Sequence, residues 1–218
     1  VTDSSEPRAD RLTPLQRDLA RAFFDVAPPG WFLTGGAALA GWWLGHRTTQ
    51  DLDLFAERGE LADGDRALRA AAARLGATVT LLTRTTDFAR ALVTRPGEEV
   101  LVDLVRDRVP ALEAKVVIDG VRLDSPREIA ANKLNALADR AEPRDLVDLR
   151  ALLASRSLDD VLADGARKSL ACEPATLAWI LSTSPWSAAA VPEGHDPAEV
   201  AAFRTWLEAE LRRRAAPR

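Results

Sequence analysis

A chain of 218 residues with an apolar fraction of 47% can bury a core of its own, as one large domain or two small ones. Its formal net charge of -4 argues against a broadly basic nucleic-acid binder, although a local arginine-rich face could still hold phosphates. A single cysteine, Cys172, excludes an internal disulfide and a cysteine-rich zinc site, and with two histidines any bound metal is expected on oxygen ligands.

No apolar run approaches the roughly 18 residues that span a bilayer, and the charged, proline-bearing first residues lack the apolar region of a signal peptide. The expectation is a cytoplasmic protein with no membrane partner. A first helix is predicted from Thr13 and Pro14, an N-cap followed by proline at the first helical position, with Leu15, Leu19, Phe23 and Val26 on one stripe. "WFLT" (31–34) reads as a short buried strand, "GGAALAGWWLGH" (35–46) as a helix opened by glycines, and "DLDLF" (51–55) as a strand. Asp63 and Gly64 precede an alanine-rich helix that Gly76 should end.

"TVTLLTR", "FARALVT" and "EVLVDLV" follow, dense in β-branched and apolar residues, with "RPGEE" turning between the last two. "VVIDGVRL" reads as a tight hairpin about Asp119-Gly120. At "SPREIAANKLNALADR" the character changes to helix, opened by Ser125, Pro126 and Glu128, and helices are predicted at about 126–140, 143–154, 157–169, 174–182 and 197–213. Between the last two lies one long loop, 182–197.

Asp51 and Asp53 are the residues that need explaining. On a strand they point the same way, about 7 Å apart, while Leu52 and Leu54 face the core. Two like charges so placed need a cation between them, or one must take up a proton. A solvated edge strand would relieve them as well. Asp103 is a further lone charge in the middle of an apolar strand, and if that strand lies beside "DLDLF" three carboxylates converge. Oxygen donors without histidine or cysteine suit Mg²⁺ or Mn²⁺. Gly35-Gly36 is either an ordinary turn or a place where backbone N–H groups approach a phosphate closely. His46 and Arg47 either contact phosphates or close the loop before the strand.

Taken together, the Gly-Gly pair, the fourteen intervening residues, the D-x-D strand and the later strand aspartate resemble the nucleotidyltransferase superfamily that shares the DNA polymerase β-like catalytic fold. Within it, "LTGGAALAGWWLGHRTTQDLDLF" is similar to the AbiEii/AbiGii toxin family. "KLNALADRAEPRDLVDL" matches that family's later segment through Lys133, Ala136, Arg140, Arg144, Asp145, Asp148 and Leu149, so the likeness spans roughly residues 30 to 150. Members often carry serine where this chain has Gly36, with Thr34 a substitute source of a hydroxyl.

The resemblance implies an α+β protein: an N-terminal nucleotidyltransferase core over 1–124, a mixed β-sheet flanked by helices, then a C-terminal helical bundle over 125–218 that contributes Lys133 and Asp145 to the site. It implies Mg²⁺-dependent transfer of a nucleoside monophosphate from an NTP to an acceptor hydroxyl, with Asp51, Asp53 and Asp103 as metal ligands and catalytic carboxylates. Gly35, Gly36, Thr34, Arg47 and Lys133 would serve the nucleotide, Lys133 touching the triphosphate and Asp145 positioning Lys133 or the attacking hydroxyl. Asp148 would pair with an arginine such as Arg144 or Arg150. The implied biology is a toxin of a type IV toxin–antitoxin or abortive-infection system, with an antitoxin partner and, for some relatives, the 3′ end of tRNA as acceptor. Two other readings remain open: an acceptor that is a protein side chain or an aminoglycoside-like small molecule, and a degenerate non-catalytic binding protein. The intact aspartate set argues against the last.

Overall fold

The computed structural model describes residues 11–216. The chain forms two compact units, one ending at Ser125 and one starting at Pro126. Residues 1–10 and 217–218, at the outer ends of the two expected domains, lie outside the described residues.

The first unit is built on one mixed sheet whose strands are β1 (Trp31–Thr34), β2 (Asp51–Ala56), β3 (Thr78–Arg84), β4 (Phe88–Arg95), β5 (Glu98–Arg106), β6 (Val116–Ile118) and β7 (Val121–Leu123). Their order is β3-β4-β5-β2-β1-β7-β6. β2 and β5 run parallel and in register, β1 is antiparallel to β2, and β4 is antiparallel to β5. Helix α1 (Pro14–Phe24) has a reciprocal cap: Gln16 N–H donates to Thr13 Oγ1 at 3.2 Å, and Thr13 N–H donates to Gln16 Oε1 at 2.8 Å. Leu15, Leu19 and Phe23 form its buried face. The β6–β7 hairpin turns through Asp119 and Gly120 at φ of 50° and 79°, the two positive values a tight two-residue turn requires.

Two elements depart from the sequence reading. α2 is α-helical only over Gly35–Ala38 and widens into a π-helix over Leu39–Trp43, where Leu44 N–H donates to Leu39 C=O at 2.7 Å. Leu39, Ala40, Gly41 and Trp42 are all buried, so no polar stripe marks the winding period. Helix α3 (Leu61–Arg74) begins earlier than Asp63-Gly64 suggested, because Asp63 reaches back to accept from Glu60 N–H at 3.2 Å. Gly64 therefore lies inside the helix. A Cβ there would fall 2.2 Å from the buried Trp31 ring, so glycine is what lets α3 cross β1.

The second unit contains α4 (Pro126–Asp139), α5 (Pro143–Leu153), α6 (Leu158–Lys168), α7 (Pro174–Thr183) and α8 (Pro197–Ala215). Proline opens four of the five helices, where its missing N–H costs nothing, and Ser157 caps the fifth by accepting from Asp160 N–H. Ile129, Leu134, Leu149, Leu162, Leu177, Leu181, Leu207 and Leu211 supply the core. The buried Cys172 thiol is pushed up to about 11 by burial and by the charge of Asp139, which leaves it inert near neutral pH. No helix among the described residues is long and apolar enough to cross a membrane.

Charge is also buried here. Lys133 Nζ lies 2.6 Å from Asp148 and 2.9 Å from Asp145, and Asp145 further accepts from Arg140 at 3.0 and 3.1 Å. Burial works against every charge in this cluster. The attraction is stronger: Asp148 and Asp145 hold the Lys133 pKa above its usual value, and Lys133 and Arg140 hold that of Asp145 below the carboxylate range. Asp148 pairs with Lys133, while Arg144 reaches Glu142 and Arg150 reaches Glu199.

Because Asp145 is depressed and Lys133 raised, the cluster's contribution is full between the ordinary carboxylate and lysine ranges. It fades below the first, as Asp145 takes up a proton, and above the second, as Lys133 loses one. Lys133→Met should cost about 3–5 kcal/mol at pH 7 by taking a shared ammonium away from two buried carboxylates. The deficit should shrink toward pH 5, where those carboxylates, raised by burial once the lysine is gone, take up protons. Urea unfolding of both proteins at pH 5 and 7 checks this; an equal deficit at both would contradict it.

Candidate active site

Register in the first unit brings four polar residues into one line across the sheet. Thr34 on β1 is opposite Asp53 on β2, Asp53 is opposite Asp103 on β5, and Asp103 is opposite Arg90 on β4. Directly paired residues share a face, so Thr34, Asp53, Asp103 and Arg90 project together, with Asp51 beside them two residues along β2. The intervening Leu52, Leu54, Val102 and Leu104 face the other way and are buried.

Arg90 fills the cation role that the sequence left open. Its Nε and Nη2 donate to the two oxygens of Asp103, each at 2.7 Å, as a two-pronged pair. Hydrogen bonding to Asp103 raises the Arg90 pKa first, its burial opposes, and the charges of Asp103, Asp51 and Asp53 add to the rise. All three carboxylates are felt by one guanidinium. Asp51 has a neutral donor as well, Thr49 Oγ1 at 2.8 Å.

The two glycines have separate reasons. Gly35 has φ of 65°, and a Cβ built on it would lie 2.1 Å from Asp53 Oδ2, so the carboxylate sits against bare backbone. At Gly36 a Cβ would meet Arg47 Nη2 at 2.7 Å and Thr49 Oγ1 at 3.1 Å. Arg47 is buried and anchored by Nη1–H to Thr48 C=O at 2.8 Å. The guanidinium occupies the space a serine would need, which accounts for the second glycine. Thr34 Oγ1 is buried beside this turn and has no hydrogen-bond partner in the structure.

An oxygen donor set with an orphaned hydroxyl and a side-chain-free backbone edge fits a hard divalent cation and an anionic ligand. Among the described residues no group of three or more carboxylate, histidine or cysteine side chains is gathered at metal-ligand spacing, and both Asp103 oxygens belong to Arg90. Asp51 and Asp53 are the pair that fits a metal directly. Lys133 and Asp145 belong to the second unit, where the lysine is buried between two carboxylates.

Sequence reasoning missed Arg90. It is a lone charge in the apolar strand "FARALVT", and the two-residue turn Pro96-Gly97 joining β4 to β5 sets the register in which 90 meets 103. A carboxylate and an arginine equally distant from a tight turn were the available signal.

The model of the family described as nucleotidyl transferase AbiEii toxin, type IV TA system, matches residues 17–214. The chain belongs to that family and is a nucleotidyltransferase. Among solved structures it is similar to JHP933 from Helicobacter pylori, with 22% identity, a TM-score of 0.56 and 92% of each chain covered. A putative nucleotidyltransferase from H. pylori gives 23% identity, a TM-score of 0.55 and the same coverage. MenT4, a nucleotidyltransferase toxin from Mycobacterium tuberculosis H37Rv, gives 18% identity and a TM-score of 0.54, over 90% of this chain and 80% of that one. These likenesses are of fold. No curated protein matches the chain in sequence.

Gly35→Ala should separate folding from site geometry. The left-handed backbone would cost about 1–2 kcal/mol, and Asp53 would have to turn away. Nucleotidyl transfer should fall by at least about 100-fold while the protein still unfolds cooperatively. Near-normal transfer by a folded variant would show that this approach is unimportant.

Proposed function

We propose that the protein transfers a nucleoside monophosphate from an NTP to a hydroxyl at the 3′ end of an RNA, tRNA being the first candidate, and releases pyrophosphate. The single observation that carries this is the matched register of Asp53 and Asp103 beside a glycine turn with a bare backbone edge. Asp51 and Asp53 would hold Mg²⁺ or Mn²⁺, with Asp103 joining them. A divalent cation bound there would act as a Lewis acid on the phosphates and ease deprotonation of the attacking hydroxyl. The N–H groups of Gly35 and Gly36, the Thr34 hydroxyl and the Arg47 guanidinium would bind and orient the phosphates. Asp103 would accept the proton of the acceptor hydroxyl, whose oxygen attacks the α-phosphorus.

Lys133 and Asp145 enter as positioning residues. Drawing the lysine out to a triphosphate would leave Asp145 and Asp148 buried without it, at a cost of about 3–5 kcal/mol. We therefore assign the cluster to fixing α4 against α5. The toxin role implies an antitoxin that counters the activity, and the RNA acceptor follows the family resemblance.

The test is incubation with each α-labelled NTP and Mg²⁺ in the presence of total tRNA and total protein. Label should enter the tRNA fraction, depend on Mg²⁺, and fall at least about 100-fold in Asp53→Asn. Label in protein or in a small molecule would overturn the acceptor. Undiminished transfer by Asp53→Asn would overturn the site.

A further inference from the structure

We infer that Arg90 is the protein's own counter-ion for the carboxylate cluster, and that it must leave Asp103 before a divalent cation takes that residue as a ligand. This rests on the metal reading of the site given above. Arg90 makes two bonds to Asp103 at 2.7 Å each, from directly across the β4–β5 pair. Both carboxylate oxygens are already engaged. A metal bound to Asp51, Asp53 and Asp103 together would sit within a few ångströms of a fixed guanidinium, and two cations at that range repel strongly in a partly buried site. One of them has to go.

The geometry says which. The Arg90 side chain is 44% exposed whereas that of Asp103 is 10% exposed, so the arginine lies on the solvent side of the carboxylate it covers. Its stem is long and flexible. A second resting place is at hand: Phe88 is two residues away on the same face of β4, and the guanidinium carbon already lies 5.8 Å from the ring centroid. The arginine can swing outward while the aspartate stays.

Release from Asp103 frees the two N–H donors now engaged there, on the β4 side of Asp103 and across the sheet from the glycine turn. Arg90 then moves from an internal carboxylate to solvent and the Phe88 ring. A nucleotide that brings its phosphates to the metal strengthens metal binding and so helps to displace the arginine, and the two should bind cooperatively. The arginine keeps the metal-free cluster intact and weakens binding of metal alone.

The experiment is calorimetric titration of Mn²⁺ into the full chain, with and without a non-hydrolysable NTP analogue, for the native protein and for Arg90→Gln, Arg90→Lys and Asp53→Asn. Arg90→Gln should bind Mn²⁺ about tenfold more tightly than the native protein in the absence of nucleotide. Arg90→Lys keeps the charge without the two-pronged geometry and should fall between the two. If both Arg90 variants bind Mn²⁺ as the native protein does or more weakly, the inference is overturned and Arg90 only ties β4 to β5. Should Asp53→Asn bind Mn²⁺ like the native protein, the metal reading itself has failed, and the inference with it. If Arg90→Gln fails to fold, the Arg90→Lys titration decides alone.

Discussion

Two carboxylates held side by side on neighbouring parallel strands set the terms for the rest of the first unit. At a cross-strand separation of about 5 Å and an effective dielectric near 20, the repulsion between Asp53 and Asp103 amounts to roughly 3 kcal/mol. The same register buries Leu52, Leu54, Val102 and Leu104 on the opposite face, each worth about 1.5–3 kcal/mol. Burial wins. A slip of one residue would exchange the two faces, driving the charges into the core, so the hydrophobic pattern holds the aspartates together against their own repulsion. Arg90 offsets what remains.

The surroundings of that pair are shaped by closeness of backbone and not by a long helix. α2 is α-helical for one turn and then widens, so little dipole stands behind the glycines. Access is what they provide. Gly35 leaves Asp53 room to lie against the chain, and Gly36 leaves room for the buried Arg47. One device serves a carboxylate and the other a guanidinium, so the Gly-Gly pair joins the negative end of the site to its positive end. The second unit carries its own buried ion cluster, in which Lys133 and Arg140 both serve Asp145.

Much of this could be read from residues alone where the pattern was local. The cap at Thr13, the prolines at helix starts, the Asp119-Gly120 hairpin and the strand alternation of "DLDLF" each announce themselves within a few positions. Long-range pairing was harder. That Asp103 would face Asp53 depends on β5 lying parallel to β2, which no short stretch encodes, and the ion pair of Asp148 with Lys133 was not foreseen because Arg144 and Arg150 stand nearer in sequence. The start of α3 was misplaced because Asp63-Gly64 resembles a boundary when Asp63 is in fact the third helical residue, turned back to cap. Arg90 was hidden among many arginines, and only the turn at Pro96-Gly97 pointed from it to Asp103.

The central claim is that Asp51 and Asp53 hold a divalent metal while the glycine turn holds the phosphates it carries. Crystals grown with Mn²⁺ and a non-hydrolysable NTP analogue, measured at the manganese absorption edge, test it most directly. The account predicts an anomalous peak bounded by Asp51 and Asp53, with phosphate oxygens on the N–H groups of Gly35 and Gly36. Manganese and phosphates bound elsewhere, with those two carboxylates unliganded, would contradict it.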